Sequence, residues 1–454
     1  MVRALAIDVG TTSVRTALVD DAGNVTHTHR QRLTVTTPQP GEVELDAREI
    51  GAVVVDLARR TLSDGGGCDV VGVTNQRATT ILFDVTTGQP VGPAIGWQDL
   101  RTVIDCLVLQ AEGVRLAPNL SATKAAWLAA HCARDGASLG FATVESWVTR
   151  LLSEGAAHVS DHSNAAVTGL VDAAVSQWQG PLLERLGLER VAMPRIVDTT
   201  GRHATATALA GAPPITGLVG DQSASLFGQS CVRGGAKITF GTGAMLDMVR
   251  GPLGPTTLRG YASGCFPVVT SSRGAITWGI EGIVLSAGAC VEWLRDDLGL
   301  IVDAADCDAL ARSVTTSDGV AFVPALAGLG TPWWDFGARG GFVGLTRGAT
   351  RAHLARAVLE GVAQRGADLV EAARAETGEA LDEVRVDGGM TASAVLLQAL
   401  ADLSGCRVAV SSEREATARG AGLMALVGAD ELDDATVESL WRPASVVEPR
   451  VDDD

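Results

Sequence analysis

Two apolar strands joined by a glycine turn open the chain, and the same unit recurs in its second half. This repeat limits the possible folds more than any other feature. Ala4–Val9 stops at Gly10-Thr11-Thr12 and resumes as Ser13–Val19, followed by a turn at Asp20–Asn24 and the alternating run Val25–Val35. Lys237–Phe240 stops at Gly241-Thr242-Gly243 and resumes as Ala244–Val249. β runs joined by glycine-containing turns are hairpin signals. Behind each hairpin the pattern changes to alternating strand and helix. In the first half the spacing predicts a helix over Arg48–Leu62, a buried strand over Asp69–Val73, and helices over Ala122–Ala133 and Thr143–Ser153. In the second half it predicts helices over Arg351–Ala373, Ser393–Leu403 and Glu415–Val427, with strands at Val384–Val386 and Arg407–Val410. Alternation of this kind gives layered α/β structure. The expected architecture is two similar domains, 1–229 and 230–454, with the crossover near Gly228–Gly235.

Glycine is also the compositional outlier, with 53 among 454 residues against a usual ~7%. The glycines are not periodic, so the question is whether they line ligand loops. Acidic residues outnumber basic ones, 53 to 36, for a net charge of −17. Phosphate-backbone binding needs clustered Lys and Arg, so a nucleic-acid partner is not expected. The N-terminal run has one basic residue and is broken by Asp8, unlike a secretory signal. No stretch approaches the ~18 uninterrupted apolar residues of a membrane helix. The eight cysteines form no CxxC pair and no zinc spacing. A cytoplasmic protein with reduced thiols, no membrane partner and no structural metal is expected.

Five short motifs carry chemistry. Asp8-Val9-Gly10-Thr11-Thr12-Ser13 could form an anion nest beside a magnesium-binding carboxylate, or an ordinary hairpin turn. Thr239-Phe240-Gly241-Thr242-Gly243 has the same logic. Val386-Asp387-Gly388-Gly389-Met390-Thr391 ends a strand in a turn bare enough for a nucleotide, or is a plain strand-to-helix turn. Leu218-Val219-Gly220-Asp221-Gln222-Ser223 delivers a carboxylate to a strand end, where it could act as a general base or as a helix cap. Asn75-Gln76-Arg77 and Trp97-Gln98-Asp99 place polar groups and an indole at two strand ends, suited to a hydroxyl-rich ligand. His27 and His29 alternate on what reads as a solvated strand face. Trp333-Trp334 sits in a Gly/Pro-rich loop that either packs locally or reaches between domains.

In this order the motifs resemble the FGGY carbohydrate kinases of the actin/sugar-kinase/heat-shock ATPase superfamily, over nearly the whole chain and closest to the glycerol kinase branch. The carrying segments include AIDVGTTSVR at 6–15, GVTNQRATTILFD at 72–84, GDQSASLFGQ at 220–229, FGTG at 240–243 and VDGGMTAS at 386–393. The segment at 340–360 matches a family signature. The resemblance implies two RNase H-like α/β domains closing over a central cleft, with Mg-ATP mainly on the second and a small polyol or sugar on the first. It implies Asp221 as general base and Asp8 as the carboxylate holding Mg²⁺ through water. Gly10, Thr11, Thr12, Ser13 and Arg15 would contact phosphate, and Gly241 and Thr242 would clamp the β- and γ-phosphates. Gly288, Glu292, Gly388, Gly389 and Ser393 would border the adenosine, Ser393 standing where the glycerol branch usually has Asn. Relatives form homo-dimers or homo-tetramers.

Arg77, Trp97, Asp221 and Gln222 match the branch's substrate-binding pattern. Three positions depart from it. Ala78 stands where the branch has Glu, Asn119 where it has Tyr, and Met245 where it has Phe. One carboxylate acceptor and two aromatic groups are therefore gone, and the site gains space. An acceptor polyol or sugar of four or five carbons is expected, with glycerol itself as the alternative. The stretch Gly201–Pro214 lacks the Gly-Lys-Gly loop tied to sugar-bisphosphate control, so that control is not expected. A catalytically silent binding protein, or an ATPase acting without an acceptor, fits the intact Asp8, Asp221 and polar clusters less well.

Overall fold

The computed structural model describes residues 2–134 and 136–450. The opening hairpin forms as the alternation predicts, from β1 (Arg3–Val9) and β2 (Ser13–Asp20), and β3 (Val25–Arg32) extends the meander. Helix α1 (Ala47–Gly65) follows. Asp46 caps its start by accepting from the Arg48 N–H at 2.8 Å, and Gly66 ends it at φ 78°. Strands β4 (Val70–Asn75), β5 (Thr200–Thr205) and β6 (Pro214–Gly220) complete a six-stranded sheet ordered β5-β6-β4-β1-β2-β3. In it β1, β4 and β6 run parallel and the meander antiparallel. Helix α2 (Asp221–Gly228) leaves the end of β6.

The second half repeats the plan. Strands β7 (Ala236–Phe240), β8 (Ala244–Gly251), β9 (Phe266–Ser272) and β10 (Ile276–Val284) lead into α3 (Gly288–Asp296) and the long α4 (Arg351–Thr377). Then come β11 (Glu383–Asp387), α5 (Ala394–Ser404), β12 (Arg407–Ser411), α6 (Ala416–Gly428) and β13 (Pro443–Val447). The sheet order is β9-β10-β8-β7-β11-β12-β13, with β7, β11 and β12 parallel. Successive antiparallel pairings beside a row of three parallel strands thus stand at the heart of both sheets. This two-domain α/β arrangement is the one the resemblance implies.

Among the described residues, no helix is long and apolar enough to cross a membrane.

Helix α6 follows β12 in sequence but lies on the first sheet. Ala418, Ala421 and Met424 share one core with Ala6, Val19, Val219 and Phe227. The Thr216 hydroxyl donates to the Ala425 carbonyl at 2.7 Å. Glycines let α6 seat this closely. A Cβ at Gly420 would overlap the Ala224 carbonyl of α2, and one at Gly228 would overlap the Ala416 carbonyl. Both obstacles are backbone, so a side chain forces the helices apart. Gly420→Ala is expected to destabilise the fold by about 1–3 kcal/mol, as overpacking does. Urea unfolding measures it.

One sequence expectation needs correction. His27 is exposed, as a solvated face requires, whereas His29 is half-buried. His27 takes a positive φ of 51° beside a register shift in the β2–β3 pairing, and such a bulge re-aims side chains. His29 turns onto α1, with Nδ1 3.0 Å from Thr61 Oγ1 and Nε2 3.0 Å from Asp64 Oδ2. Of the tryptophan pair, Trp334 donates its indole N–H to the Gly264 carbonyl at 2.7 Å, and the Arg365 guanidinium lies 4.4 Å from the Trp333 ring. Both contacts stay within the second half, so the loop packs locally.

Candidate active site

Apolar β6 ends at Gly220, and Asp221 begins α2 at that strand's carboxyl end. Asp221 Oδ1 accepts from the Gln222 N–H at 2.8 Å and lies 3.4 Å from Arg77 Nε. Arg77 comes from the neighbouring strand end, just past β4. Its stem crosses Gly220 so closely that a Cβ there would sit 2.7 Å from Arg77 Cγ and Cδ. Only glycine leaves that passage open. Arg77 Nη2 also donates to Glu281 Oε2 at 2.5 Å. Glu281 belongs to β10, so one guanidinium ties the carboxylate of the first half to the second sheet.

Strand register explains the opposite wall. Lys237, Asp247 and Glu281 are cross-strand partners on β7, β8 and β10, and Thr239, Met245 and Ile283 form the next row on the same face. Lys237 and Asp247 are buried, and Lys237 Nζ lies 2.9 Å from Asp247 Oδ2. The same ammonium donates to Gln222 Oε1 at 2.7 Å and Thr239 Oγ1 at 2.9 Å. Burial works against the Lys237 charge, but Asp247 and then Asp387 outweigh it and raise its pKa. Burial raises Asp221 above the usual aspartate range, with Arg77 opposing. Glu281 is raised by burial in the same way, again against Arg77.

One glycine turn joins β1 to β2 and the other joins β7 to β8. In the first, the Gly10 N–H donates to the Ser13 carbonyl at 2.9 Å, and Thr11 Oγ1 accepts from the Trp97 indole N–H at 3.2 Å. Ser13 Oγ accepts from Arg30 Nε at 3.1 Å, while Thr12 is exposed. Arg15 is 3.4 Å from Asp8 Oδ2 and also pairs with Glu415. In the second turn the Gly241 N–H donates to the Gly243 carbonyl at 2.9 Å. The start of α3 docks on it, Ala287 and Gly288 donating to the Thr242 and Gly241 carbonyls at 2.8 and 2.9 Å. A Cβ at Gly288 would lie 2.6 Å from the Gly241 oxygen, so this glycine seats the helix against the turn.

Gly388, at φ 94°, approaches the Phe240 carbonyl too closely for a side chain, whereas Gly389 faces open space. Ser393 caps α5, accepting from the Leu396 N–H at 3.2 Å and donating to Asp308 Oδ1 at 2.7 Å. Glu292 is exposed on α3. A cavity of about 140 Å³ gathers Arg15, Gln222, Thr239, Asp387, Gly388 and Glu415. Both halves therefore contribute to one space. Burial raises the Asp8 carboxyl to about 7, Arg15 opposing and Asp221 adding. Asp387 Oδ2 accepts from Gln229 Nε2 at 2.7 Å, while its buried Oδ1 has no protein partner among the described residues.

The three departures sit on three different segments of the chain. Ala78 is buried in the left-handed region, φ 61°, and its carbonyl accepts from the Thr80 and Ser121 hydroxyls at 3.2 and 3.3 Å. A non-glycine residue held there is strained, which is characteristic of functional loops. Asn119 is exposed, its carbonyl accepting from buried Lys124 Nζ at 3.1 Å. Met245 is half-buried in the row beside Asp247.

Sequence reasoning missed Glu281, Lys237 and Asp247. Their signal was present as single charges in otherwise apolar strands, in AKITF, AMLDMVRG and ITWGIEGIV. Gln76, singled out from sequence only as part of the Asn75-Gln76-Arg77 cluster, has a side-chain amide buried without a protein partner among the described residues.

Comparisons with known proteins converge on one family. The description "FGGY family of carbohydrate kinases, N-terminal domain" matches residues 3–228, and the corresponding C-terminal domain matches 236–429. The chain is 41% identical to a glycerol kinase of Dechloromonas aromatica, the match covering 99% of this chain and 94% of that protein. It is 42% identical to a glycerol kinase of Aromatoleum aromaticum, covering 99% and 95%. Among solved structures it resembles Plasmodium falciparum glycerol kinase with ADP, at a TM-score of 0.92 and 27% identity over 100% of this chain and 95% of the other. A ligand-bound xylulose kinase from Lactobacillus acidophilus shares the fold, at a TM-score of 0.88 and 19% identity over 99% and 94%.

Proposed function

The chain belongs to the FGGY family of carbohydrate kinases, phosphotransferases with an alcohol group as acceptor, and from that premise we propose a specific assignment of substrate and roles. The acceptor is a polyol or sugar of four or five carbons, and the donor is ATP with Mg²⁺. Asp221 takes the proton of the attacking hydroxyl. That oxygen forms the bond to the γ-phosphorus as the bond to the β,γ-bridging oxygen breaks, and ADP leaves. Such a transition state is loose, so the protein's part is to position reactants and offset charge. Arg77, held by Asp221 and Glu281, positions the base and supplies a cation at the acceptor. Gln222 and the Trp97 indole line the acceptor side. The turns at 10–13 and 241–242 offer N–H and hydroxyl donors to phosphate, and Gly388 and Gly389 leave room for the nucleoside, with Glu292 and Ser393 at its margin.

The donor set fits magnesium. Asp8 is a buried carboxylate whose charge lacks full compensation, and Asp387 has a buried oxygen without a partner. Hard oxygens of this kind are magnesium ligands, and the ion neutralises phosphate charge when bound. Asp8 and Asp387 would hold it. A cytoplasmic setting agrees with the eight unpaired cysteines.

The observation carrying the acceptor assignment is Ala78, a buried alanine where a carboxylate would meet a glycerol hydroxyl. Removing such an acceptor weakens binding by about 1–3 kcal/mol. The second reading, glycerol kinase proper, draws on the names of the relatives at about 40% identity. Initial rates with ATP and glycerol, erythritol, xylitol or D-xylulose separate the two. A four- or five-carbon compound is expected to give the highest kcat/KM. Highest kcat/KM with glycerol overturns the assignment.

A further inference from the structure

Beneath the Arg77–Asp221 pair lies a buried carboxylate that the proposed chemistry does not use. Asp161 ends the short strand Val159–Asp161 and caps the helix His162–Ala166. It is fully buried. Its two oxygens serve separate chains of hydrogen bonds.

Oδ2 accepts from the Ser163 N–H at 2.8 Å and from the Ser163 hydroxyl at 2.5 Å. Ser163 Oγ in turn accepts from the Gly220 N–H at 2.8 Å. Gly220 immediately precedes Asp221. Oδ1 accepts from Asn164 Nδ2 at 2.7 Å. The Asn164 and Asn75 amides pair reciprocally at 2.9 and 3.0 Å, and Asn75 Nδ2 also donates to the Gln76 carbonyl at 2.8 Å. Gln76 immediately precedes Arg77.

We propose that Asp161 is the positioning residue of the catalytic pair, fixing the backbone just ahead of both the base Asp221 and its cation Arg77. The donor inventory closes without surplus. Ser163 gives its one hydroxyl proton to Asp161 and keeps a lone pair for Gly220. Each asparagine nitrogen spends its two protons on two different acceptors. A carboxylate is the only side chain that accepts on both arms at once, and charge-assisted bonds of this type are the strong ones. The need is physical. Arg77 crosses Gly220 where a Cβ would lie 2.7 Å from its stem, so a slip of either backbone segment moves Nε off Asp221. Asp161 touches no substrate and acts only through Ser163, Asn164 and Asn75.

This inference rests on the kinase reading and is tested with the full chain. Ser163→Ala cuts the Gly220 arm but keeps the backbone N–H that Asp161 uses as helix cap, so it separates positioning from capping. With Mg-ATP and the best acceptor among glycerol, erythritol, xylitol and D-xylulose, kcat is expected to fall on the order of tenfold. KM for ATP is expected to stay within about twofold, since ground-state nucleotide binding is untouched. Asp161→Asn leaves one acceptor oxygen for the two arms, which bring three donors, and is expected to fall at least as far. Unchanged kcat in Ser163→Ala overturns the proposal. A loss that tracks KM for ATP and the melting temperature overturns it too. Hydrogen exchange at the Gly220 amide gives a readout independent of acceptor. It is expected to quicken in Ser163→Ala, and an unchanged rate overturns the proposal. A wild-type protein that phosphorylates none of the four compounds defeats the acceptor reading instead, and exchange at Gly220 then decides the positioning.

Discussion

Asp221→Asn is expected to lower kcat by on the order of 10³-fold, the scale at which a general base contributes, while nucleotide binding persists. Asparagine keeps the size of the side chain and an oxygen for the Gln222 N–H, so the start of α2 is preserved. It cannot take a proton. The same substitution has a pH signature whose sign follows from the structure. Only the carboxylate form is a base, and burial raises Asp221 above the usual aspartate range against the pull of Arg77. In the wild type, kcat/KM therefore falls on acidification at a higher pH than a solvent-exposed aspartate would produce. Activity is full above that limb and lost below it. Asp221→Asn is expected to lose the limb along with the rate. Steady-state ADP formation from pH 4 to 9, with and without acceptor, measures both effects. Acceptor-dependent ADP formation at the wild-type rate in the variant would remove Asp221 from the mechanism.

The second large effect is on stability. Lys237→Met is expected to destabilise the protein by about 3–5 kcal/mol, the range for breaking a buried ion pair from one side. Lys237 and Asp247 are both buried and 2.9 Å apart. With the ammonium gone, Asp247 stands directly opposite Glu281 in the strand register. Like charges facing across strands repel, here with little water to screen them. Arg77 still neutralises Glu281, but it leaves one carboxylate without a cation. Lys237→Met combined with Asp247→Leu removes both charges and fills similar volume, so it is expected to recover most of the loss. Urea unfolding of the wild type, both single variants and the double variant gives the coupling. A double variant no more stable than Lys237→Met means that the lost packing of the lysine stem, not the stranded charge, sets the effect.

What could be read in advance follows from the range of the interactions. The hairpins and their turns were legible because strand alternation and turn chemistry are local, and Gly10 and Gly241–Gly243 sit where the chain reverses. Helix α1 was legible for the same reason, although Asp46 and Gly66 set limits that periodicity alone does not give. Asp221 and Arg77 came from motif order, because their pairing depends on two strand ends that are far apart in sequence. Glu281 and Asp247 were missed although each interrupts an apolar strand, since neither belongs to a glycine turn. The seating of α6 on the first sheet was not legible. Its residues are small or apolar nearly all round, so its sequence does not say which sheet it covers, and close contacts such as Gly420 against Ala224 belong to the folded chain. His29 is less exposed than the alternation suggests because it packs beside Thr61 and Asp64 of α1, a contact that no local residue announces.

The place of α6 bears on how the protein is made. Ala6, Val219 and Phe227 belong to the part of the chain that leaves the ribosome first, yet their cover is residues Ala416–Gly428. About 200 residues separate α2 from that cover, which at ~5–20 residues per second is on the order of 10–40 s of synthesis. During that interval the nascent first sheet presents an uncovered apolar face, a surface that chaperones bind and that promotes aggregation. The first half therefore completes its core only once residues 416–428 have been made, and a ribosome stalled before them holds a sheet with one side bare.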